Sequence, residues 1–180
     1  MINIIFACND DGVIGKDNQL PWKCKNDLKF FKYMTLQNTV IMGLNTFYSL
    51  GNPLKDRLNI VVTSKADKLN KQYCLPNLIF IETLEQAISY AKSQNNEIFI
   101  IGGKRIIEQS LQFANNIFRT LIHKNVDGDT VSVSRQFENY IPCVYIKMCR
   151  NYEFHIFTNK TNEVVEKAEE FLNEIKNYQY

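Results

Sequence analysis

Between Ile2 and Gln112 the chain alternates short, almost continuously apolar runs with segments of helical spacing. That alternation constrains the fold more than any other feature of the sequence. The runs are Ile2–Cys8, Thr39–Met42, Leu58–Thr63, Leu78–Ile81 and Glu97–Ile101. They are too short for helices and rich in β-branched and aromatic residues, which fits strands covered on both faces. Three helical segments lie between or after them. Lys25–Thr35 carries Leu28, Phe31 and Met34 at spacing three, and Thr83–Lys92 opens with Thr83 and Gln86 in capping-box spacing. Lys104–Gln112 follows a Gly-Gly pair. Strand and helix in alternation imply parallel strands joined by right-handed crossovers. After Asn116 the pattern becomes strands alone: Asn116–Ile122, Val144–Cys149 and Glu153–Thr158, the last two turning near Arg150-Asn151. The predicted fold is α/β: a mixed, mostly parallel sheet with helices on both faces and an antiparallel C-terminal edge hairpin.

At 180 residues the chain is sized for one domain. Its 21 basic and 19 acidic residues leave a net charge of +2, which gives no electrostatic footprint for nucleic acid or an anionic membrane. No apolar run approaches the roughly 20 residues needed to span a bilayer. The N-terminus has neither the basic leader nor the cleavage site of a signal peptide. The five cysteines, Cys8, Cys24, Cys74, Cys143 and Cys149, are scattered, without a CxxC, and there are two histidines. That pattern predicts reduced thiols, a cytoplasmic location and no metal site.

In sheets of this kind ligands bind beyond the carboxyl ends of strands. Three segments fall there: the long loop Asn9–Cys24, Met42-Gly43, and Ile101-Gly102-Gly103. Glycine at such a turn lets a ligand approach the backbone, although a tight turn needs glycine too. Asp27 lies one residue before Leu28 and four before Phe31, which sets its carboxylate beside the apolar stripe of its helix. It is either an acid complementing the helix dipole or a carboxylate at a pocket wall, where desolvation would let it hold a proton near neutral pH. Arg57, just before a strand, is either a solvated charge or a clamp for a carboxylate.

As an ordered set these residues resemble dihydrofolate reductase. The set is Ala7, Val13-Ile14-Gly15, Leu20-Pro21-Trp22, Asp27 with Leu28 and Phe31, Val40-Ile41-Met42-Gly43, Thr46-Phe47, Ser49 and Pro53-Leu54. It continues with Arg57, Asn59-Ile60-Val61-Val62-Thr63-Ser64, Ile100-Ile101-Gly102-Gly103, Thr120 and Gly128-Asp129-Thr130. The resemblance covers residues 1 to about 130 in order and the hairpin more loosely. It implies a central eight-stranded mixed sheet and hydride transfer from NADPH to dihydrofolate, in support of one-carbon and thymidylate metabolism, with antifolates as further ligands. Asp27 would hold the pterin and favour protonation of its N5 through a water that Trp22 helps fix, with Thr120 bonded at the Asp27 end. Ile5, Ala7, Leu28, Phe31, Leu50, Leu54 and Ile101 would line the substrate slot, and Arg57 would pair with the glutamate α-carboxylate. The cofactor would meet Ala7, Ile14, Gly15, Leu20, Gly43, Asn45, Thr46, Thr63, Ser64, Lys65, Gly102, Gly103, Lys104, Arg105 and Ile106. The Asn9–Cys24 loop would close over the nicotinamide, and Gly102-Gly103 would be the family's cis glycine peptide.

The chain departs from the family pattern in three places. Leu44 stands where a cation usually faces the cofactor's 2′-phosphate, leaving Thr63, Ser64, Lys65 and Arg105 for that group. Ile107 replaces a tyrosine, and Val131-Ser132-Val133-Ser134 replaces an aromatic-proline stretch. Two other readings accommodate the same fold: a folate- or nucleotide-binding protein with reduced or lost turnover, and a pyrimidine reductase of riboflavin synthesis. The latter should lack Trp22 and Asp27. The reductase domain is expected over residues 1–160, with 161–180 an amphipathic helical extension. Glu163–Tyr178 carries Val164, Val165, Ala168, Phe171, Leu172 and Ile175 as one stripe, which must pack on its own domain or pair with another copy, as a homodimer, or with a partner protein.

Overall fold

The computed structural model describes residues 1–131, 143–149, 151–158 and 162–176, with side chains for all of these but 143–149 and 175–176. The chain forms two compact units, one of Met1–Ile4 with Thr35–Ala114 and one of Ile5–Met34 with Asn115–Tyr180. In chain order the elements are β1 (Ile2–Asn9), β2 (Val13–Gly15), α1 (Lys25–Thr35), β3 (Thr39–Gly43), α2 (Leu44–Leu50), β4 (Leu58–Val62), α3 (Ala66–Gln72) and β5 (Leu78–Ile81). They continue with α4 (Leu84–Lys92), β6 (Ile98–Gly102), α5 (Lys104–Ser110), β7 (Asn116–Ile122), β8 (Thr130–Val131), β9 (Cys143–Cys149), β10 (Tyr152–Thr158) and α6 (Glu163–Lys176).

In the first unit the strands lie in the order β5-β4-β3-β6-β1. Every pair is parallel, with Asn59 opposite Leu78, Thr39 opposite both Leu58 and Ile98, and Ile2 opposite Ile98. Ile41, Met42, Ile60, Val61, Phe99 and Ile100 are buried, as the unbroken apolar runs require of strands without a solvent face. Phe47 on α2 seals one end, its ring edge-on to Phe80 and Tyr73 at 5.5 and 5.8 Å between centroids. The Thr83 hydroxyl caps α4 by accepting from the Gln86 N–H at 3.3 Å.

In the second unit the order runs on from β1 as β7-β10-β9. The β7–β10 and β10–β9 pairs are antiparallel, with Asn116–Ile122 opposite Thr158–Tyr152, and Cys149 opposite Tyr152 across the hairpin turn. Arg150 of that turn lies outside the described residues. The sheet is thus mixed, mostly parallel, with the antiparallel hairpin at its edge. A separate pair, β2 with β8, was not legible in the sequence, because strands of three and two residues leave no periodicity. Helix α3 was missed for the same reason: only Ala66 and Leu69 of it are buried.

The apolar stripe of α6 is covered within the second unit. Val164, Val165, Ala168 and Leu172 are buried, and the Phe171 ring lies 5.7 Å from Phe30 and 4.7 Å from Tyr33. Phe30 also meets Phe118 and Phe154 at 6.2 and 5.0 Å. The helix starts from a reciprocal carboxamide pair, Asn162 with buried Asn116, and the Asn162 Oδ1 accepts from the Val165 N–H at 3.2 Å. Ile175 falls outside the described side chains. The described part of the stripe is thus buried, with Phe171 against α1, which fits the first of the two expected arrangements. Leu172→Ala should lower unfolding free energy by about 2–5 kcal/mol in denaturant titration, the range for a fully buried leucine, and leave the sedimentation coefficient unchanged.

Candidate active site

Asp27 occupies the first turn of α1, where the helix dipole favours a negative charge. It is also buried, and burial wins. Desolvation pushes its pKa from 3.8 up to about 6, while a hydrogen bond donated by the Thr120 hydroxyl pulls the other way. Asp27 is thus a first-turn acid that is also buried, with its pKa raised. Thr120 reaches it from the middle of β7, where its backbone sits opposite Phe154. Trp22 is buried, and its indole Nε1–H has no hydrogen-bond partner among the described residues. A buried donor in that state costs free energy and marks a place where a water or ligand acceptor fits. Of the apolar positions in this unit, Ile5 is buried, Ala7 and Phe31 are half-buried, and Leu20 and Leu28 are 48% and 56% exposed.

The Asn9–Cys24 loop is shaped rather than free. Asn9 is buried, and its Oδ1 accepts from the Val13 and Asp11 N–H groups at 2.8 and 3.1 Å, while its Nδ2 donates to the Lys124 carbonyl at 3.3 Å. Asp17 and Asn18 have φ of 50° and 59° and sit between a doubly bonded Lys16 and Gln19, a two-residue hairpin turn. The Asp17 N–H donates to Asp129 Oδ2 at 2.9 Å and holds that carboxyl below its usual range. Ile14 and Gly15, both half-buried, lie on β2 opposite β8. Glycine is required at Gly128, because a Cβ there would lie 2.1 Å from Val13 Cγ1 and 2.7 Å from the Gly15 carbonyl oxygen.

In the first unit Arg57 is anchored at two of its five donors. Nε donates to the Lys55 carbonyl at 2.9 Å and Nη1 to the Thr35 hydroxyl at 3.1 Å. Among the described residues it forms no ion pair, and partial burial lowers its pKa. The loop that carries it is built on Asn59, which is fully buried. Its Nδ2 donates to the Leu54 and Arg57 carbonyls at 2.9 and 3.0 Å, and its Oδ1 accepts from the Leu54 N–H at 2.9 Å. Asn59 and Thr35 were not read as site residues. An asparagine inside an apolar strand was the available signal, since a buried carboxamide must be bonded. Leu54 and Ile101 are half-buried and Leu50 is 39% exposed.

The two glycine-ended strands of this unit converge. Gly102-Gly103 is a cis peptide, as the resemblance implied. A Cβ on Gly103 would meet Thr46 Oγ1 at 3.3 Å, and one on Gly43 would meet Ile106 at 3.3 Å and the Gly103 nitrogen at 3.8 Å. Gly43, Thr46, Gly102, Gly103 and Ile106 therefore form one small-residue cradle of bare backbone. Around it Asn45, Ser64, Lys65, Lys104 and Arg105 are exposed, and Thr63 is half-buried, with its hydroxyl accepting from the Lys65 N–H at 3.2 Å. Leu44 is half-buried and Ile107 is buried.

The second unit thus offers a buried carboxylate with a raised pKa, and the first an anchored arginine and two glycine-ended strands. The dihydrofolate reductase family profile matches residues 1–145. A dihydrofolate reductase of Bacillus subtilis is 40% identical over 129 residues, 72% of this chain and 73% of the relative. That of Haemophilus influenzae is 34% identical over 138 residues, 77% and 82% of the two chains. A solved dihydrofolate reductase from Enterococcus faecalis, complexed with NADP(H) and RAB-propyl, superposes with a TM-score of 0.77 at 29% identity, over 88% of this chain and 95% of that one. The chain belongs to the dihydrofolate reductase family.

The Asp27 geometry gives a direct stability test. Between about pH 4 and 6 the folded chain holds a proton that the unfolded chain has lost, so stability falls as pH rises through that window and stays lower above it. The interval from 3.8 to about 6 corresponds to about 3 kcal/mol. Asp27→Asn keeps an acceptor for Thr120 without the buried charge. It should raise unfolding free energy by about 1–3 kcal/mol at pH 7, and the gain should vanish below pH 4 in denaturant titrations across pH.

Proposed function

We propose that the chain reduces 7,8-dihydrofolate to 5,6,7,8-tetrahydrofolate with NADPH, and that Asp27 is its proton-holding group. The observation that carries this is a buried carboxylate with a pKa near 6, in a unit that also buries an indole N–H without an acceptor among the described residues. NADPH, when bound, supplies the hydride. Asp27 holds the pterin through its 2-amino group and N3 and favours protonation at N5 by way of a water. Trp22 offers its N–H to that water, and Thr120 orients the carboxylate from β7. Ile5, Ala7, Leu28, Phe31, Leu50, Leu54 and Ile101 supply apolar contact, which gives a use to the otherwise exposed Leu28 and Leu50. Arg57, with donors left after its two anchoring bonds, takes the glutamate α-carboxylate.

The residues fit the dinucleotide. Gly43, Gly102 and Gly103 leave the backbone bare where a Cβ would press on Thr46 or Ile106, Thr46 and Asn45 add polar groups, and Ile14, Gly15 and Leu20 are taken to cover the nicotinamide. Thr63, Ser64, Lys65 and Arg105 receive the 2′-phosphate in place of a cation at Leu44. We read residues 1–160 as the reductase domain and 161–180 as its extension. The scattered cysteines, without a CxxC, accord with a cytoplasmic location, and no described helix is long and apolar enough to cross a membrane.

The assay is loss of NADPH absorbance with dihydrofolate, which should proceed and be blocked by an antifolate. Absence of dihydrofolate-dependent oxidation would overturn the reading in favour of a binding protein. Arg57→Leu should weaken dihydrofolate binding by roughly 2–5 kcal/mol, the range for removing one member of a desolvated charge pair, and leave a dihydropterin without the glutamate tail unaffected. Equal losses for both substrates would make Arg57 structural.

A further inference from the structure

Both histidines of the chain sit in one hydrogen-bonded series that the reaction does not use. All of its members belong to the second unit. At the buried end Arg119 on β7 faces His155 Nδ1 on β10, and His155 Nε2 lies 2.6 Å from Glu153 Oε2. The other Glu153 oxygen, Oε1, lies 3.1 Å from His123 Nε2, and His123 Nδ1 lies 3.0 Å from Asp10 Oδ1. Asp10 is the residue after β1 in the Asn9–Cys24 loop. His123 follows β7, with its backbone N–H donating to the Asn151 carbonyl at 2.9 Å.

Donor and acceptor parity fixes the protonation states. A guanidinium only donates, so His155 Nδ1 must accept from Arg119. The ring is then neutral, and its Nε2–H donates to Glu153. An ionised carboxylate only accepts, and these bonds hold Glu153 below its usual range. His123 faces a carboxylate at each nitrogen. A neutral imidazole has one N–H and can serve only one of them, whereas the imidazolium serves both. Burial pulls the His123 pKa down, but the bonds to Asp10 and Glu153 more than offset this and raise it. Among the described residues the charged groups facing His123 are Asp10, from the loop, and Glu153, from β10. His155 and Arg119 stand behind Glu153 and hold it in place. No group of three or more of these side chains among the described residues is arranged to hold a metal ion.

We propose that His123 is a positioning residue which, as an imidazolium, ties Asp10 at the root of the Asn9–Cys24 loop to Glu153 on β10, so that the loop is held at acidic to neutral pH and loosened as the ring loses its proton. The bridge is complete below the His123 pKa and loses one arm above it. Glu153 is fixed from behind by His155, so the arm lost is the one to exposed Asp10. The Asn9 carboxamide bonds to Asp11 and Val13 carry the effect one turn further into the loop. The consequence for turnover rests on the reading that this loop covers the nicotinamide.

The test uses the full chain without ligand. NMR gives the His123 titration and the hydrogen-exchange protection of the Asp11 and Val13 amides. In the parent, protection should fall about two- to fivefold as His123 deprotonates, the scale of an exposed ion pair. In Asp10→Asn the carboxamide can donate to an unprotonated Nδ1, so protection should no longer follow the ring. His123→Gln, neutral at every pH, should also be flat. The pH profile of NADPH-dependent dihydrofolate reduction should carry a His123 ionisation in the parent that both variants lack, with the Asp27 ionisation kept in all three. Protection that ignores the His123 titration, or follows it equally in Asp10→Asn, overturns the bridge. Loop protection that follows His123 with identical turnover profiles in parent and variants overturns its coupling to the reaction. A parent without reductase activity removes the functional reading, and the exchange experiment still decides the bridge.

Discussion

The desolvation of one carboxylate organises the second unit. Asp27 could have remained a solvated first-turn acid, stabilising α1 through the dipole by a fraction of a kcal/mol. Instead it is buried, with a single hydroxyl donor, and its pKa stands near 6 at a cost of about 3 kcal/mol when ionised. The surrounding apolar packing offsets that cost. Phe30, three residues along the same helix, is fully enclosed by Phe118, Phe154 and Phe171, which come from β7, β10 and α6. The C-terminal helix thus helps hold the helix that carries the carboxylate. It is part of the unit's core.

Buried amides do for the loops what the aromatic cluster does for the helix. Asn59 gathers the Leu54–Arg57 turn through three of its hydrogen bonds and so presets the arginine fork. Asn9 gathers the start of the Asn9–Cys24 loop in the same way. The Asp17–Asp129 bond and the absence of a side chain at Gly128 fix the loop further along. Each device is one side chain satisfying several backbone groups, which pre-orders a loop without a large apolar contact.

The parallel strands and the helices α1, α4 and α5 were legible in the sequence because their signals are long-range periodicities: unbroken apolar runs for doubly covered strands, spacing three and four for the helices. Elements below that length were not. The β2–β8 pair rests on contacts from distant residues such as Gly128, and α3 buries only Ala66 and Leu69, so no local pattern announces either. For the site, spacing alone left Asp27, Arg57 and the glycines each with two meanings, and the ordered set of motifs was needed to choose between them. The structure adds what spacing cannot carry: how far Asp27 is buried, which donors of Arg57 are engaged, and that Gly43 and Gly103 converge on one cradle. The His123 series was invisible for a plain reason. The two carboxylates that His123 meets stand 113 and 30 positions from it in the chain.

The account turns on Asp27 holding a proton near neutrality because it is buried. Carbon-13 NMR of the side-chain carboxyls, followed from pH 3 to 8 with Asp27→Asn to assign the resonance, reads this without substrate or cofactor. A carboxyl that titrates near pH 6, well above 3.8, is the expected result. A carboxyl that titrates at or below 3.8 would show that solvent or the helix dipole outweighs burial, and the proton-holding role assigned to Asp27 would fail.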